Sequence, residues 1–97
     1  MSQSINIAVI GATSNVGEAL VELLEEREFP VKDLHLLASS ESAGQSLSFR
    51  GRQVRVRSLD AFDFTQVQLA FFAAGSDVTR SHHERVVAAG CSVIDLS

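Results

Sequence analysis

Three features of the 97 residues predict an α/β fold built on a doubly wound parallel sheet: an apolar run ending on a glycine, an amphipathic helix directly after it, and a second apolar run beyond a short connection. Ile5 to Ile10 reads I-N-I-A-V-I, a short run rich in β-branched residues that suits a central strand buried on both faces. From Val16 the period changes. Val16, Leu20, Leu23 and Leu24 recur at helical spacing while Glu18, Glu22, Glu25 and Glu26 fall mostly elsewhere, so a helix is expected to about Glu28, with Pro30 as its stop. Leu34 to Ala38 is the second strand and completes a β-α-β unit, whose crossover should be right-handed.

Ser39 to Gln45 is small and polar and reads as a loop. Ser46 to Phe49 and Gln53 to Arg57 are strand-like pieces joined through Arg50-Gly51-Arg52, where glycine supplies a positive φ, so a β-hairpin is expected on the edge of the unit. Gln68 to Ala74 is the next buried strand, ended by Gly75. A helix follows, with Val78, Val86, Val87 and Ala89 on its apolar side, Ser76 or Asp77 as N-cap and Gly90 just past its end. Ser92 to Leu96 is the last strand. The first strand should lie inside the sheet, between the second strand and Gln68 to Ala74, because that order opens a ligand crevice at the carboxyl ends. A sheet that stops on a core strand lacks the helix that would cover it. Residues 1–97 are therefore expected to be the incomplete amino-terminal part of a larger two-domain protein.

Composition narrows the function. The chain is 45% hydrophobic, but no apolar run approaches the roughly 20 residues that span a bilayer, so no membrane role is expected. The amino terminus lacks the pattern of a secretory signal, and a single cysteine cannot form an intrachain disulfide, which points to the cytoplasm. A net charge of −4 opposes nucleic-acid binding. The one basic cluster is Arg50, Arg52, Arg55 and Arg57, and the alternation of Val54 and Val56 with Arg55 and Arg57 reads as a strand with one solvated face. His82 and His83 diverge by about 100° on a helix and read as a wet face rather than a metal pair; no metal site is expected. Cys91 reads as a small buried residue, His35 as a partnered sheet residue, and Phe49, Phe62, Phe64, Phe71 and Phe72 as core. Asp95, on the carboxyl edge, reads as a carboxylate capping a neighbouring loop, with ligand contact as the alternative.

Chemistry concentrates at Gly11 to Gly17. A glycine-rich turn between a first strand and a first helix aims backbone N–H groups and the positive helix end at one point, where an anion is stabilised. In the dinucleotide fingerprint the first glycine makes the turn, the second admits the pyrophosphate and the third allows close helix-to-strand packing. Gly11 and Gly17 fit the first and third roles. Ser14 holds the middle one, where its Cβ crowds the phosphate while its hydroxyl offers a hydrogen bond to it; a plain helix cap at Thr13 or Ser14 is the alternative reading. On this basis 1–97 reads as a partial Rossmann-type dinucleotide-binding domain, which the resemblance below makes an NAD(P)-binding one.

Four segments, G-A-T-S-N-V-G, L-A-S-S-E-S-A-G-Q, F-F-A-A-G and A-G-C-S-V-I-D-L-S, together with the hairpin L-S-F-R-G-R-Q-V-R-V, occur in the order and at the spacing found in aspartate-semialdehyde dehydrogenases, whose amino-terminal domain the whole chain resembles. The resemblance implies an oxidoreductase of amino-acid biosynthesis that uses a nicotinamide cofactor to interconvert aspartyl phosphate and its semialdehyde through a cysteine thioester, and a homodimer formed through the missing domain. It implies that Thr13, Ser14, Asn15 and Val16 line the pyrophosphate, that Ser39 and Ser42 lie at the adenosine ribose, and that Ala74 and Gly75 pass beneath the cofactor. The family's nucleophilic cysteine and acid/base histidine lie beyond Ser97, and Cys91 does not match that cysteine. This sequence departs from the family twice, with Ser14 in place of a glycine and Glu41 in place of an arginine. The second exchange points to NAD rather than NADP. Two alternatives stand beside this reading. One is a non-catalytic paralogue that keeps the fold and binds a nucleotide or a partner protein. The other is a short-chain reductase, which would need a Tyr-x-x-x-Lys pair, and the chain has no tyrosine.

Overall fold

The computed structural model of the chain describes residues 4–39 and 41–96. It contains β1 (Ile5–Ile10), α1 (Asn15–Glu26), β2 (Val31–Ala38), β3 (Ser46–Phe49), β4 (Arg52–Ser58), a 3-10 turn (Phe64–Gln66), β5 (Leu69–Phe72), α2 (Ser76–Ala88) and β6 (Ser92–Asp95). The strands form one six-stranded sheet in the order β3-β4-β2-β1-β5-β6. All neighbours run parallel except β3 and β4. The first strand thus lies between β2 and β5, and the hairpin sits at an edge, as the sequence predicts.

Burial on both faces explains the apolar run of β1. Ile7 and Val9 pack under α1 with Val21, Leu24, Leu36, Val56 and Phe71. Ala8 and Ile10 point the other way and join Leu37, Ala70, Phe72, Val86 and Cys91 under α2. Ala8 lies in register with Ala70, so two small residues at the sheet centre let Val86 of α2 come close. Phe72, Ile7, Ile10, Leu36 and Leu37 are fully buried, and each contributes about 1.5–3 kcal/mol by leaving water. A 12-residue helix such as α1 is marginal on its own, and the packing of Val21 and Leu24 holds it in place.

The details differ from the sequence reading where tertiary contacts decide. The buried stripe of α1 is Gly17, Val21 and Leu24, while Val16 and Leu23 are exposed. The helix ends at Glu26, before proline can act. Glu28 takes a left-handed φ of 53°, its N–H donates to the Glu25 carbonyl at 3.2 Å, and that of Phe29 donates to the Leu24 carbonyl at 3.1 Å. That is the Schellman closure, made here without glycine. β2 starts at Val31 rather than Leu34, β5 is shorter than Gln68 to Ala74, and β6 ends at Asp95. Gly75, not Ser76 or Asp77, is the N-cap of α2; its φ is 100° and no side chain caps the helix. Gly90, at φ 90°, closes α2 as expected.

Arg50 is not part of a solvated strand face. It sits with Gly51 in the two-residue turn of the hairpin, both at positive φ, and its guanidinium donates to the Val31 carbonyl at 3.2 Å and to the Phe29 carbonyl. Its main-chain N–H donates to the Glu25 carboxylate. The hairpin is thereby strapped to the connection between α1 and β2. His82 likewise is half-buried rather than wet, because its Nδ1 meets Arg85 at 2.8 Å. His83 is exposed, as expected.

Between β4 and β5 the chain crosses to the opposite side of β1 with a 3-10 turn in place of a helix. Asp63 caps that turn, accepting from the Thr65 N–H at 3.0 Å and the Thr65 hydroxyl at 2.7 Å, and these bonds hold its carboxyl below the usual range. Phe62 and Phe64 stack edge to face with their ring centres 5.0 Å apart. Arg85 of α2 fastens the crossover: it donates to the carbonyls of Leu59 at 3.0 Å and Phe62 at 2.7 Å, and lies over the Phe64 ring. Among the described residues no helix is long and apolar enough to cross a membrane. Arg85→Ala leaves two carbonyls without that donor and removes the ring contact, so it should lower stability by about 2–3 kcal/mol, measured by urea denaturation; a loss under about 0.5 kcal/mol, the range of an ordinary surface change, contradicts the fastening role.

Candidate functional site

The carboxyl ends of the parallel strands define one rim of the sheet, and the loops after β1, β2 and β5 open on it. Gly11 leaves β1 at φ 85° with its N–H donating to the Leu37 carbonyl at 2.8 Å, and the Ala12 N–H donates to the same carbonyl at 3.1 Å. A Cβ on Gly11 would fall 2.6 Å from that of Ala74. The loops after β1 and β5 are therefore in contact, and only glycine allows it. A Cβ on Gly17 would fall 2.2 Å from the Gly11 carbonyl oxygen, so the first turn of α1 rests directly on the end of β1. Both glycines do what the fingerprint requires of its first and third positions.

Ser14 is the N-cap of α1, with φ −77° and ψ 163°, and its hydroxyl accepts from the Gly17 N–H at 3.0 Å. The same hydroxyl donates to the carbonyls of Gly11 at 2.7 Å and Ala73 at 2.9 Å. Its one proton is engaged within the protein, and the hydroxyl serves as the helix cap. The Glu18 N–H donates to the Ser14 carbonyl at 2.9 Å, beginning the helical ladder. The N–H groups of Asn15 and Val16 precede any intrahelical acceptor and stand at the positive end of the helix. Both residues are exposed and open to a ligand. Across the rim, α2 starts at Gly75 with its first-turn N–H groups likewise uncapped by a side chain. The two helices start on opposite faces of the sheet, from loops that touch at Gly11 and Ala74.

Ser39 and Ser42 belong to the loop after β2, where the N–H groups of Ser42 and Ala43 both donate to the Ser39 carbonyl at 3.0 Å. Glu41 is exposed on the same turn. Thr13, Ser14, Asn15, Val16, Ala74 and Gly75 thus come together at the junction of β1 and β5, and Ser39, Glu41 and Ser42 line the neighbouring loop. A dinucleotide fits this arrangement: two helix ends supply unpaired N–H donors, and glycine at Gly11 and Gly17 keeps the backbone close beneath them.

Cys91 is buried, its thiol donating to the carbonyls of Phe64 and Val67 at 3.1 Å, and burial pushes its pKa up, the opposite of an activated nucleophile. Asp95 ends β6 level with Phe72 of β5, at the carboxyl rim, and lines a cavity of about 400 Å³ with Ser76, Thr79, Arg80, His83 and Glu84 of α2. No group of three or more His, Cys, Asp or Glu able to hold a metal occurs among the described residues.

Sequence reasoning missed a broad groove of about 1280 Å³ over β2 and β4, on the sheet face that the crossover after β4 leaves without a helix. Five of the eight lysines and arginines line it, against two of the twelve acidic residues, so it is cationic in a chain of net charge −4. The alternation of Arg55 and Arg57 was the available signal; the bare face is a product of topology. His35 faces this groove, its ring 5.2 Å from that of Phe62. Burial lowers its pKa, with Asp33 opposing and Arg57 adding to the shift. Among the described residues the groove is lined by strands, the loop after β2 and the 3-10 turn, with no α-helix end on it, so the crevice is the better match to a pyrophosphate.

The same arrangement of strands and helices is found in aspartate semialdehyde dehydrogenase II of Vibrio cholerae, solved in complex with ASA, with a TM-score of 0.94 at 45% identity over 96% of this chain and 30% of that one. In sequence the chain is 63% identical to a USG-1 protein homolog of Pseudomonas aeruginosa over all 97 residues, and 48% identical to an aspartate-semialdehyde dehydrogenase of Shewanella violacea over 95. It spans less than a third of the length of either relative, 29% and 28%. The sequence profile described as semialdehyde dehydrogenase, NAD binding domain, matches residues 6–97. With the glycine turn, the strand order and that match in agreement, the chain belongs to the NAD-binding domain family of the semialdehyde dehydrogenases.

Proposed function

We propose that the chain binds a nicotinamide dinucleotide across the carboxyl ends of β2, β1 and β5, and serves as the cofactor-binding part of an oxidoreductase that interconverts aspartyl phosphate and aspartate semialdehyde. The observation that carries this is the start of α1, where Gly11 and Gly17 bring two loops and a helix end into contact beneath the N–H groups of Asn15 and Val16. Those N–H groups hold the pyrophosphate. The loop of Ser39, Glu41 and Ser42 takes the adenosine ribose, and Ala74 and Gly75 form the floor under the cofactor. Once bound, the cofactor supplies the hydride acceptor or donor, and this part of the protein fixes its position and covers one side of it. The nucleophile, the acid/base group and the homodimer contact come from residues after Ser97, in a cytoplasmic enzyme.

A non-catalytic paralogue is the second reading. It is favoured by the departures at Ser14 and Glu41, and by the different name carried by the relative at 63% identity. A parent protein without a cysteine nucleophile beyond Ser97, and without turnover of aspartate semialdehyde, decides for it.

Glu41 sets the cofactor preference within the first reading. A 2′-phosphate carries about −1.5 to −2 charges at neutral pH, and two unit charges ~4 Å apart interact by about 1 kcal/mol in water. On an exposed turn that lower value applies, and with the missing arginine contact it weakens NADP by roughly tenfold. NAD escapes, because a carboxylate accepts from its free 2′-hydroxyl. Titrating the protein with NAD and NADP at fixed salt should show tighter NAD binding, and Glu41→Arg should recover NADP; tighter NADP binding in the natural sequence, or an unchanged NADP affinity in the variant, overturns this role.

A further inference from the structure

We infer that Ser14 is a positioning residue that latches together the two loops bounding the crevice, using the hydroxyl that also caps α1. A serine N-cap needs only to accept a hydrogen bond, and here it accepts from the Gly17 N–H at 3.0 Å. The proton is left over. It is shared between the Gly11 carbonyl at 2.7 Å, within its own turn, and the Ala73 carbonyl at 2.9 Å, 59 residues along the chain. Gly11 already receives the Ser14 N–H at 3.0 Å, so what the hydroxyl adds is the bond across to the loop after β5. Ala73 is buried and its own N–H donates to the Ile10 carbonyl at 2.8 Å. It is therefore tied to β1 through its nitrogen and to α1 through its oxygen. Gly11 and Ala74 touch beside this bond, with no room for a methyl group between them.

The latch gives the serine a purpose at a position where the fingerprint has glycine. It holds the Asn15 and Val16 N–H groups in fixed register with Ala74 and Gly75, so the anion site and the floor beneath it form before a ligand arrives. It also removes the hydroxyl as a phosphate donor and leaves that work to the main chain. The consequence for affinity rests on the dinucleotide reading; the latch itself does not.

Three substitutions separate the latch from the cap. Ser14→Ala removes both. Ser14→Asp keeps the cap, because an ionised carboxylate accepts from the Gly17 N–H, but has no proton to give Ala73. Ser14→Thr keeps both. Amide hydrogen exchange by NMR on the 97-residue chain should show faster exchange at 73–75 in the alanine and aspartate variants, faster exchange at 15–18 in the alanine variant alone, and natural rates in the threonine variant. Titration with NAD should show about fivefold weaker binding to Ser14→Ala, the worth of one ordinary hydrogen bond, and recovery in Ser14→Thr. Unchanged exchange at 73–75 in Ser14→Asp makes Ser14 a cap alone and overturns the latch. Faster exchange there with unaltered NAD affinity in Ser14→Ala overturns its positioning role. A natural chain that binds no dinucleotide overturns the cofactor reading, while the exchange data still decide the latch.

Discussion

The carboxyl rim of this sheet is organised by the contact of bare backbone at Gly11, which touches Ala74 on one side and the first turn of α1 on the other. A methyl group on Gly11 would collide with Ala74 at 2.6 Å, and one on Gly17 with the Gly11 carbonyl at 2.2 Å. Because both distances lie far inside van der Waals contact, α1 and the loop after β5 can be this near only if these residues are glycine. The position of the helix end follows from that closeness, and so do the aim of its free N–H groups and the hydroxyl bridge from Ser14 to Ala73. What the sheet core contributes is rigidity. β1, buried on both faces, fixes the point from which the turn departs.

Charge is distributed so that the two concave surfaces differ in kind. The groove over β2 and β4 is lined by side-chain cations on flexible stems, Lys32, Arg52, Arg55 and Arg57 among them. The crevice is framed by main-chain dipoles held by packing, with Glu18, Glu41 and Asp77 nearby in sequence. Side-chain cations attract any anion at long range and are screened by salt, whereas aligned N–H groups bind at close quarters and with fixed geometry.

Local pattern made the sheet legible in the sequence. Strands β1 and β2, the helix between them and the hairpin could be located because an apolar run, a change of period or a turn glycine marks each, and Gly11 and Gly17 could be given roles because glycine there has one physical explanation. The rest depends on partners distant in the chain. Val16 and Leu23 have helical spacing yet face water, since α1 is held so close through Gly17 that its buried stripe rotates onto Val21 and Leu24. Arg50 reads as a surface charge, but its guanidinium, like that of Arg85, bonds carbonyls of segments about 20 or more residues away, which no local pattern announces. The same is true of Ser14, whose type shows a cap and whose bond to Ala73 appears only when β1 and β5 are placed side by side.

Whether the dinucleotide sits at the junction of β1 and β5, as proposed, or in the cationic groove can be read residue by residue. In a ¹⁵N-resolved NMR titration of the chain with NAD, the largest shifts should fall on the main-chain N–H groups of Asn15 and Val16 and on those of Ala74 to Asp77, with His35, Arg55 and Arg57 unmoved. Shifts concentrated at His35, Arg55 and Arg57, or none at Asn15 and Val16 at saturating NAD, would contradict it.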